Sequence, residues 1–550
     1  MIDVQYSLGN GTLKGFSDEE CSFLLSNNAG SFYYHSERSR NGGWFVHDYG
    51  ELFRVLAEIR TPSPRISTVI HSGSKVEIKR NGIREMFALS DGKNALVYKT
   101  NTPLDTDIIL DVKNINDDRQ WGRQYTIKVE NGMTIVHFTK STDAREDKTN
   151  GKQEYEFFIV LDKPARVIKR WEERVYADDI HDAASHSRLV FRAVRVWTAS
   201  LIITASKNLQ RALDAQKDAK AGQWLENEHA LTSQALKNFC EQKEGSTTIK
   251  TAFPVQRQTR DEIIAAAALA QVNPHHARSI LIQNARRIMN DGRLSENSAS
   301  EIRIADGTGW LFKRCYELMH LFSSEEKEFL AEKIVDVIET LHERYTKDGF
   351  AWDNAMAAIS GDPLSIDAQA LRLATYRCAH AVTKNELYKE MESKLRSKVH
   401  DAFWNSEMIA QSMGNYAPHP RIILAAYIYP ELFAKEEWSV CFTNLLKEAW
   451  LEWGGLKIKG DNKDDNKSFF WLNNIAALCF FRTDRALFRN HIQKIASASR
   501  HEMLWQGCLG MHGEWSNAAK LSSNGACDIK STATFAELRD ENQERTSLIR

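Results

Sequence analysis

Carboxylates recur beside tryptophans in the polar loops of the C-terminal half of this sequence, a pairing suited to acid–base chemistry on sugars. Arg260 and Asp261 lie in AFPVQRQTRDEII, and Asp306 and Trp310 in EIRIADGTGWLF. Trp352, Asp353 and Asn354 are consecutive in DGFAWDNAMAAISGDPLSIDAQAL, which also carries Asp367. Trp471 falls in GGLKIKGDNKDDNKSFFWLNN, and Glu514 precedes Trp515 in LWQGCLGMHGEWSNAAKL. Breaking a glycosidic bond needs two carboxyl groups flanking it. One is protonated at the leaving oxygen; the other is ionised, to activate water or to attack. A tryptophan against a carboxyl group excludes water, raises its pKa and favours the acid role. The same residues also suit plain structure. An acid in a first helical turn, as at Asp261, stabilises the helix dipole, and aromatic side chains fill large cores.

These loops must be held by larger elements, and the sequence divides into two textures. Residues 1–205 read as strands. KVEIKRNG alternates Val76 and Ile78 with polar neighbours and ends in Asn81-Gly82, while YTIKVENGMTIVHF places two alternating runs around Asn131-Gly132. Asn-Gly accepts the positive φ angles of a type I′ turn, so the second of these reads as a β-hairpin. NALVYKT, TDIILDV, YEFFIVLD and SRLVFRAVRVW add further strands, and many short strands with turn signals predict an antiparallel β-sandwich. Residues 206–250 read as a helical linker ending in the polar EQKEGSTTIK. From residue 251 to 550 the apolar spacing becomes three and four. In SSEEKEFLAEKIVDVIETLHERY, Ser323 and Glu326 fit a capping box, and Leu330, Ile334, Val337, Ile338 and Leu341 make one stripe. Nearly 300 such residues accommodate roughly twelve helices of about 11 residues. An (α/α)6 toroid fits that number; a helical solenoid fits the periodicity too, although no fixed repeat is visible.

Composition narrows the classes. A chain of 550 residues is long enough for two or more domains. The formal net charge of −1 gives no field for steering toward nucleic acid or an anionic membrane. No apolar run reaches the roughly 20 residues that span a bilayer, and MIDVQYSLGNGTLKG lacks the pattern of a signal peptide. A cytoplasmic protein is therefore expected. The eight cysteines are scattered, without CxxC pairs or zinc spacing, and read as buried thiols. With 14 Trp, 15 Tyr and 25 Phe, flat surfaces for sugar rings are abundant.

In their order along the chain, the polar loops resemble the amylo-α-1,6-glucosidase domain of glycogen-debranching enzymes and, more loosely, the glucoamylases. AFPVQRQTRDEIIAAAAL is similar to the family's W-G-R-D-x-x-I-A-L segment, and GRLSEN followed by IADGTGWLF resembles G-L-I-P-N followed by S-A-D-A-T-L-W-F. FAWDNAMAAISGDPLSIDAQAL resembles T-W-M-D-A…G-x-P-V-E-I-Q-A-L. DAFWN and APHPRIILAA are similar to its F-W and R-P-N-Q-x-x-A segments. GGLKI and KSFFWLNNIAAL sit where G-L-R-T-L and G-T-V-W-P-W-L occur. GCLGMHGEW is close to G-C-L-G-S-I-S-E-I, and NGACDIKSTATFAEL resembles G-C-x-x-Q-A-W-S-x-A-E. The similarity runs from about residue 252 to 539.

The resemblance implies an inverting glycoside hydrolase that releases glucose from α-glucan branches or oligosaccharides, with no cofactor and no metal. Glu514 matches the family's catalytic base. Arg260 and Asp261 match the pair that holds the donor glucose, and Asp306 lines the same pocket; Trp310, Trp352, Asp367 and Trp471 are the further substrate-binding candidates. The acid is Asp353 if it is placed directly after a tryptophan, as in glucoamylases. An ungapped match instead places Asn354 there, and an amide cannot donate a proton as a general acid. Gln258 and Thr532 stand where the family has tryptophans. Two alternatives therefore stay open: an (α/α)6 hydrolase of another sugar, trehalase- or glucoamylase-like, and a non-catalytic glycan-binding protein.

Overall fold

The computed structural model describes residues 2–8, 11–17, 23–35, 42–62, 65–72, 75–115, 117, 119–142, 152–176, 187–219, 228–243, 246–249, 252–253, 258–295, 303–304, 306–352, 363–457, 468–506, 514–516, 520–522 and 527–547. The chain forms two compact units, Met1–Gln242 with Leu504–Gly507, and Lys243–Met503 with Cys508–Arg550.

Fifteen strands of the first unit join in one hydrogen-bonded network. Among the described strands only Ile2–Leu8 and Thr68–His71 pair in parallel; the rest are antiparallel. The expected Asn131-Gly132 hairpin forms, and the Asn81-Gly82 pair closes another. Asn131 and Gly132 take φ of 51° and 76° between Glu130 and Met133, and Asn81 and Gly82 take 41° and 86° between Arg80 and Ile83. The two runs NALVYKT and TDIILDV, expected as separate strands, are one strand, Ala95–Asn114. Its register slips between Lys99 and Leu104, so Pro103 sits in an irregularity where its missing N–H breaks no ladder. Beyond that slip the strand exchanges one partner, Ile83–Leu89, for another, Glu51–Arg60, while Arg188–Ser206 pairs with it on both sides of the slip, as far as Leu110. One bent strand thus serves two parts of the sheet, around a core that includes Trp44, Phe53, Phe87, Ile108 and Phe138. Among the described residues this unit also carries two helices, α1 (Leu209–Lys217) and α2 (Glu228–Phe239), the first capped by Asn208, which accepts from the Arg211 amide at 3.1 Å.

The second unit is helical. Its elements are α3 (Thr259–Val272), α4 (Pro274–Arg286), α5 (Gly307–Glu317), α6 (Ser324–Arg344), α7 (Ile366–Thr383), α8 (Glu386–Phe403), α9 (Arg421–Ile428), α10 (Lys435–Ala449), α11 (Phe470–Asp484), α12 (Arg489–Gln506) and α13 (Ile529–Ser547). The odd-numbered helices touch in a closed cycle: α3 meets α5, then α7, α9, α11 and α13 follow, and α13 returns to α3. The even-numbered α4, α6, α8 and α10 lie against α3, α7, α7 and α11. Sequence explains the two classes. Every residue of α9 and all of Phe470–Phe481 in α11 are buried, as helices without a polar face must be. By contrast α6 buries only its stripe of Leu330, Ile334, Val337 and Ile338 and carries the expected capping box, with Ser323 and Glu326 bonded reciprocally at 3.3 and 2.9 Å. Arg314 of α5 ties the cycle from within, donating to the Ile264 carbonyl and the Tyr427 hydroxyl at 2.7 Å and to Glu537 at 3.1 Å. The described cysteines Cys240, Cys315, Cys378, Cys441 and Cys479 are free and buried. No helix of the described residues is long and apolar enough to cross a membrane.

Candidate active site

Five of the six helices in the cycle carry a charged or aromatic candidate in their first turn, and the sixth, α5, has one immediately before it. These are Asp261 on α3, Asp306 before α5, Asp367 on α7, Arg421 on α9, Trp471 on α11 and Lys530 on α13. They meet around the cycle. Arg260 donates to Asp306 from Nε at 2.9 Å. Asp306 lies close enough to Asp367 to act on its charge, and Arg421 stands 3.8 Å from Asp367. On the other side Lys530 donates to Asp261 at 2.9 Å and sits 5.1 Å from the centre of the Trp471 ring. The N-terminal ends of these helices therefore gather at one end of the cycle, where their positive dipole ends favour the buried carboxylates.

The electrostatics follow from burial. Asp367 is 4% exposed. Burial raises its pKa and Asp306 adds to this, while Arg421 and a bond from Ser365 oppose it. Asp528, which caps α13 by accepting from the Ser531 amide at 2.9 Å and its hydroxyl at 2.7 Å, is pushed up to about 7. Desolvation is the main cause, Lys530 works against it and Asp261 with it. Asp306 Oδ2 and Asp367 Oδ1 are buried and make no protein hydrogen bond. Among the described residues no group of three or more His, Cys, Asp or Glu is arranged to hold a metal ion.

Of the residues singled out in the sequence, Asp306, Trp352 and Asp367 line one cavity with Tyr345 and Arg372. Arg260 joins that group through Asp306, whereas Asp261 and Trp471 join through Lys530. Trp310 is elsewhere: one turn into α5, it is buried against Tyr427 with ring centres 6.2 Å apart. Asp353 and Asn354 lie outside the described residues. Glu514 opens a short strand, Glu514–Ser516, paired with Lys520–Ser522, and its side chain is outside the description. Arg421, Asp528 and Lys530 were not singled out from the sequence. A signal for two of them existed: a cation opening a buried helix opposes the dipole unless a carboxylate receives it.

No protein-family model and no curated protein matches the sequence. Among solved structures, a bacterial glucoamylase complexed with acarbose matches with a TM-score of 0.60 at 9% identity, over 98% of this chain and 96% of that one. The chain thus shares the glucoamylase fold along nearly its whole length. A D-mannose isomerase (TM-score 0.43, 12% identity) and a glycosidase (0.46, 11%) each match over 57% of this chain and 96% of theirs, too weakly to carry an argument.

Proposed function

We propose that this chain is an inverting glycoside hydrolase of the amylo-α-1,6-glucosidase kind, releasing glucose from α-glucan branches or oligosaccharides. The observation that carries the reading is the gathering of Asp261, Asp306, Asp367 and their cationic partners at one end of the helix cycle. Three of these are residues that the ordered sequence motifs assign to the sugar pocket. The cycle itself, with odd helices inside and even ones laid against them, supports an (α/α)6 toroid. Fold likeness to a glucoamylase bound to acarbose supports an α-glucoside as substrate.

In this reading the paired carboxylates and cations hold sugar hydroxyls, each able to accept or donate without rearrangement. Asp353 protonates the leaving oxygen, and Trp352 beside it limits hydration and keeps it protonated. Glu514 takes a proton from water on the opposite face, with the two carboxyl groups about 6.5–9.5 Å apart. Gln258 and Thr532, at positions where the family has tryptophans, favour a substrate preference of its own. A second reading, a glycan-binding protein without turnover, is favoured by Asn354 at the ungapped acid position.

The test is glucose release from maltose, isomaltose, panose, trehalose and phosphorylase-limit glycogen, with NMR following the anomer. The expected result is β-glucose from the α-1,6-linked substrates. Asp353→Asn and Glu514→Gln should each lower turnover by about 10³-fold or more with unchanged circular dichroism. Full activity in both variants overturns the assigned roles, and no release from any substrate overturns the hydrolase.

A further inference from the structure

The first unit holds a cavity for which the hydrolytic reading has no use. It has a volume of about 580 Å3. That volume lies within the range of about 300–1,000 Å3 common to small-molecule sites. Its walls come from strands Phe32–His35, Glu51–Arg60 and Arg166–Arg174, with Arg80 at the end of Lys75–Arg80. Tyr34 and Tyr176 give it ring surfaces.

The lining is cationic. Among the described residues it contains four guanidinium groups, those of Arg54, Arg60, Arg80 and Arg174, and one carboxylate, Glu58. Glu58 serves two of them, accepting from Arg60 at 3.2 Å and from Arg174. The other partners stand behind the lining and are themselves shared. Asp111 meets Arg54 at 2.7 Å and Arg123 at 2.9 Å, and Glu172 meets Arg60 at 3.0 Å and Arg192 at 3.7 Å. Glu85 takes both Arg80 and the Tyr98 hydroxyl at 2.7 Å. Arg192 leads on to Asp107, Arg195 and Asp105. Among the described residues this whole network holds seven guanidinium groups against six carboxylates. A ligand in the cavity meets the lining cations before the acids behind them, and the nearer charge dominates. His35, also in the lining, registers this field: burial first, and then the Arg80 charge, push its pKa down to about 3.

Arg54 Nε is buried, on a side chain 2% exposed, and makes no protein hydrogen bond. Arg60 and Arg174, at 36% and 19% side-chain exposure, are more accessible. Both share Glu58, so an oxyanion between them adds the negative charge that the lining lacks. A guanidinium fork matches the oxygens of phosphate and carboxylate. A cation would meet like charge here, and an apolar ligand would strand the polar groups. The tyrosine rings suit the C–H face of a ring that carries the anionic group. We propose that this cavity binds a small organic oxyanion, a ring of sugar size bearing a phosphate or a carboxylate, with the anionic group on Arg60 and Arg174.

Hydrogen–deuterium exchange of the full chain is followed with glucose 6-phosphate, glucuronate and inorganic phosphate, and with glucose as the neutral control. Glucose 6-phosphate or glucuronate is expected to slow exchange across Glu51–Arg60 and Arg166–Arg174, and which of them acts tells phosphate from carboxylate. Glucose should need about tenfold more, or worse, for the same protection, and so should the effective anion in Arg174→Gln. Glu58→Gln removes the one lining carboxylate. It should bind the anion about threefold tighter or more, the reverse of what damage to the fold would do. Thermal melting confirms that each variant is folded. If Arg174→Gln is not, Arg60→Gln takes its place, and if Glu58→Gln is not, the arginine variants decide. Protection by neither ring anion, equal protection by glucose, or protection by inorganic phosphate alone overturns the proposal. Unchanged binding in the folded arginine variant, or unchanged or weaker binding in folded Glu58→Gln, overturns it too. These readouts need no hydrolysis, so a protein that hydrolyses nothing and shows the expected pattern overturns only the catalytic reading.

Discussion

Lys530 and Arg421 show what kind of residue escapes a reading of sequence alone. Each opens a buried helix with a positive charge at the positive end of the dipole, a combination that is unfavourable in isolation. Each meets a carboxylate from another helix, Asp261 at 2.9 Å and Asp367 at 3.8 Å, and those partners lie 269 and 54 positions away in the chain. The acids were legible because their motifs are local. The cations were not, because their reason is a partner that only the closed cycle supplies. Asp528 has a further consequence. Its pKa is about 7 in the folded chain against an ordinary value of 3.8. The folded state therefore keeps this proton over an interval in which the unfolded state has released it. Its contribution is fully present below about pH 4 and is lost as pH rises to about 7, at about 1.4 kcal/mol per pKa unit. Asp528→Asn retains an acceptor for the Ser531 amide but cannot ionise. Its melting temperature relative to the parent protein should rise by several degrees between pH 4.5 and pH 8. A constant difference across that interval would show that Asp528 is ionised at both ends.

At the scale of elements, what sequence conveys depends on how local the cause is. The Asn131-Gly132 hairpin is read at once because two residues with positive φ define it. The 20-residue strand Ala95–Asn114 is not, because its Thr100–Pro103 stretch has the composition of a turn, and only its neighbours hold it in the sheet. The ring helices pose a similar difficulty. A helix buried all round has periodicity but no face, so its pattern announces a helix without naming the neighbours. Gly309 is one place where the neighbour becomes visible. A Cβ on it would lie 2.6 Å from the Leu371 Cβ, so α5 and α7 approach more closely there than any side chain permits. Gly309→Ala must push the two helices apart, and it should cost about 1–3 kcal/mol despite the gain in helix propensity. Ser323→Ala, which removes the cap of the half-exposed α6, should cost about 1 kcal/mol. Denaturant melts of the two variants compare them directly. A stabilised Gly309→Ala protein would mean that the α5–α7 contact can relax at no cost.

At the scale of the whole molecule the recurring property is balance of charge. The net charge is −1 over 550 residues. In the helical unit, Arg260, Arg421 and Lys530 face Asp261, Asp306, Asp367 and an Asp528 that holds its proton up to about pH 7. The carboxylate–cation pairs of the helical unit suit a neutral ligand that is gripped by many oriented hydrogen bonds. Salt tests this. Screening shortens from about 30 Å to about 3 Å between 0.01 and 1 M salt, so any substrate captured by long-range attraction loses affinity steeply over that interval. For a neutral glucan, kcat/KM should change by less than about twofold between low and high salt, because contacts made within the buried clusters are little screened. A fall of about tenfold or more would show that salt acts on the protein's own charged clusters and not on substrate capture. It would also remove charge balance as a reason for reading the helical site as one for a neutral saccharide.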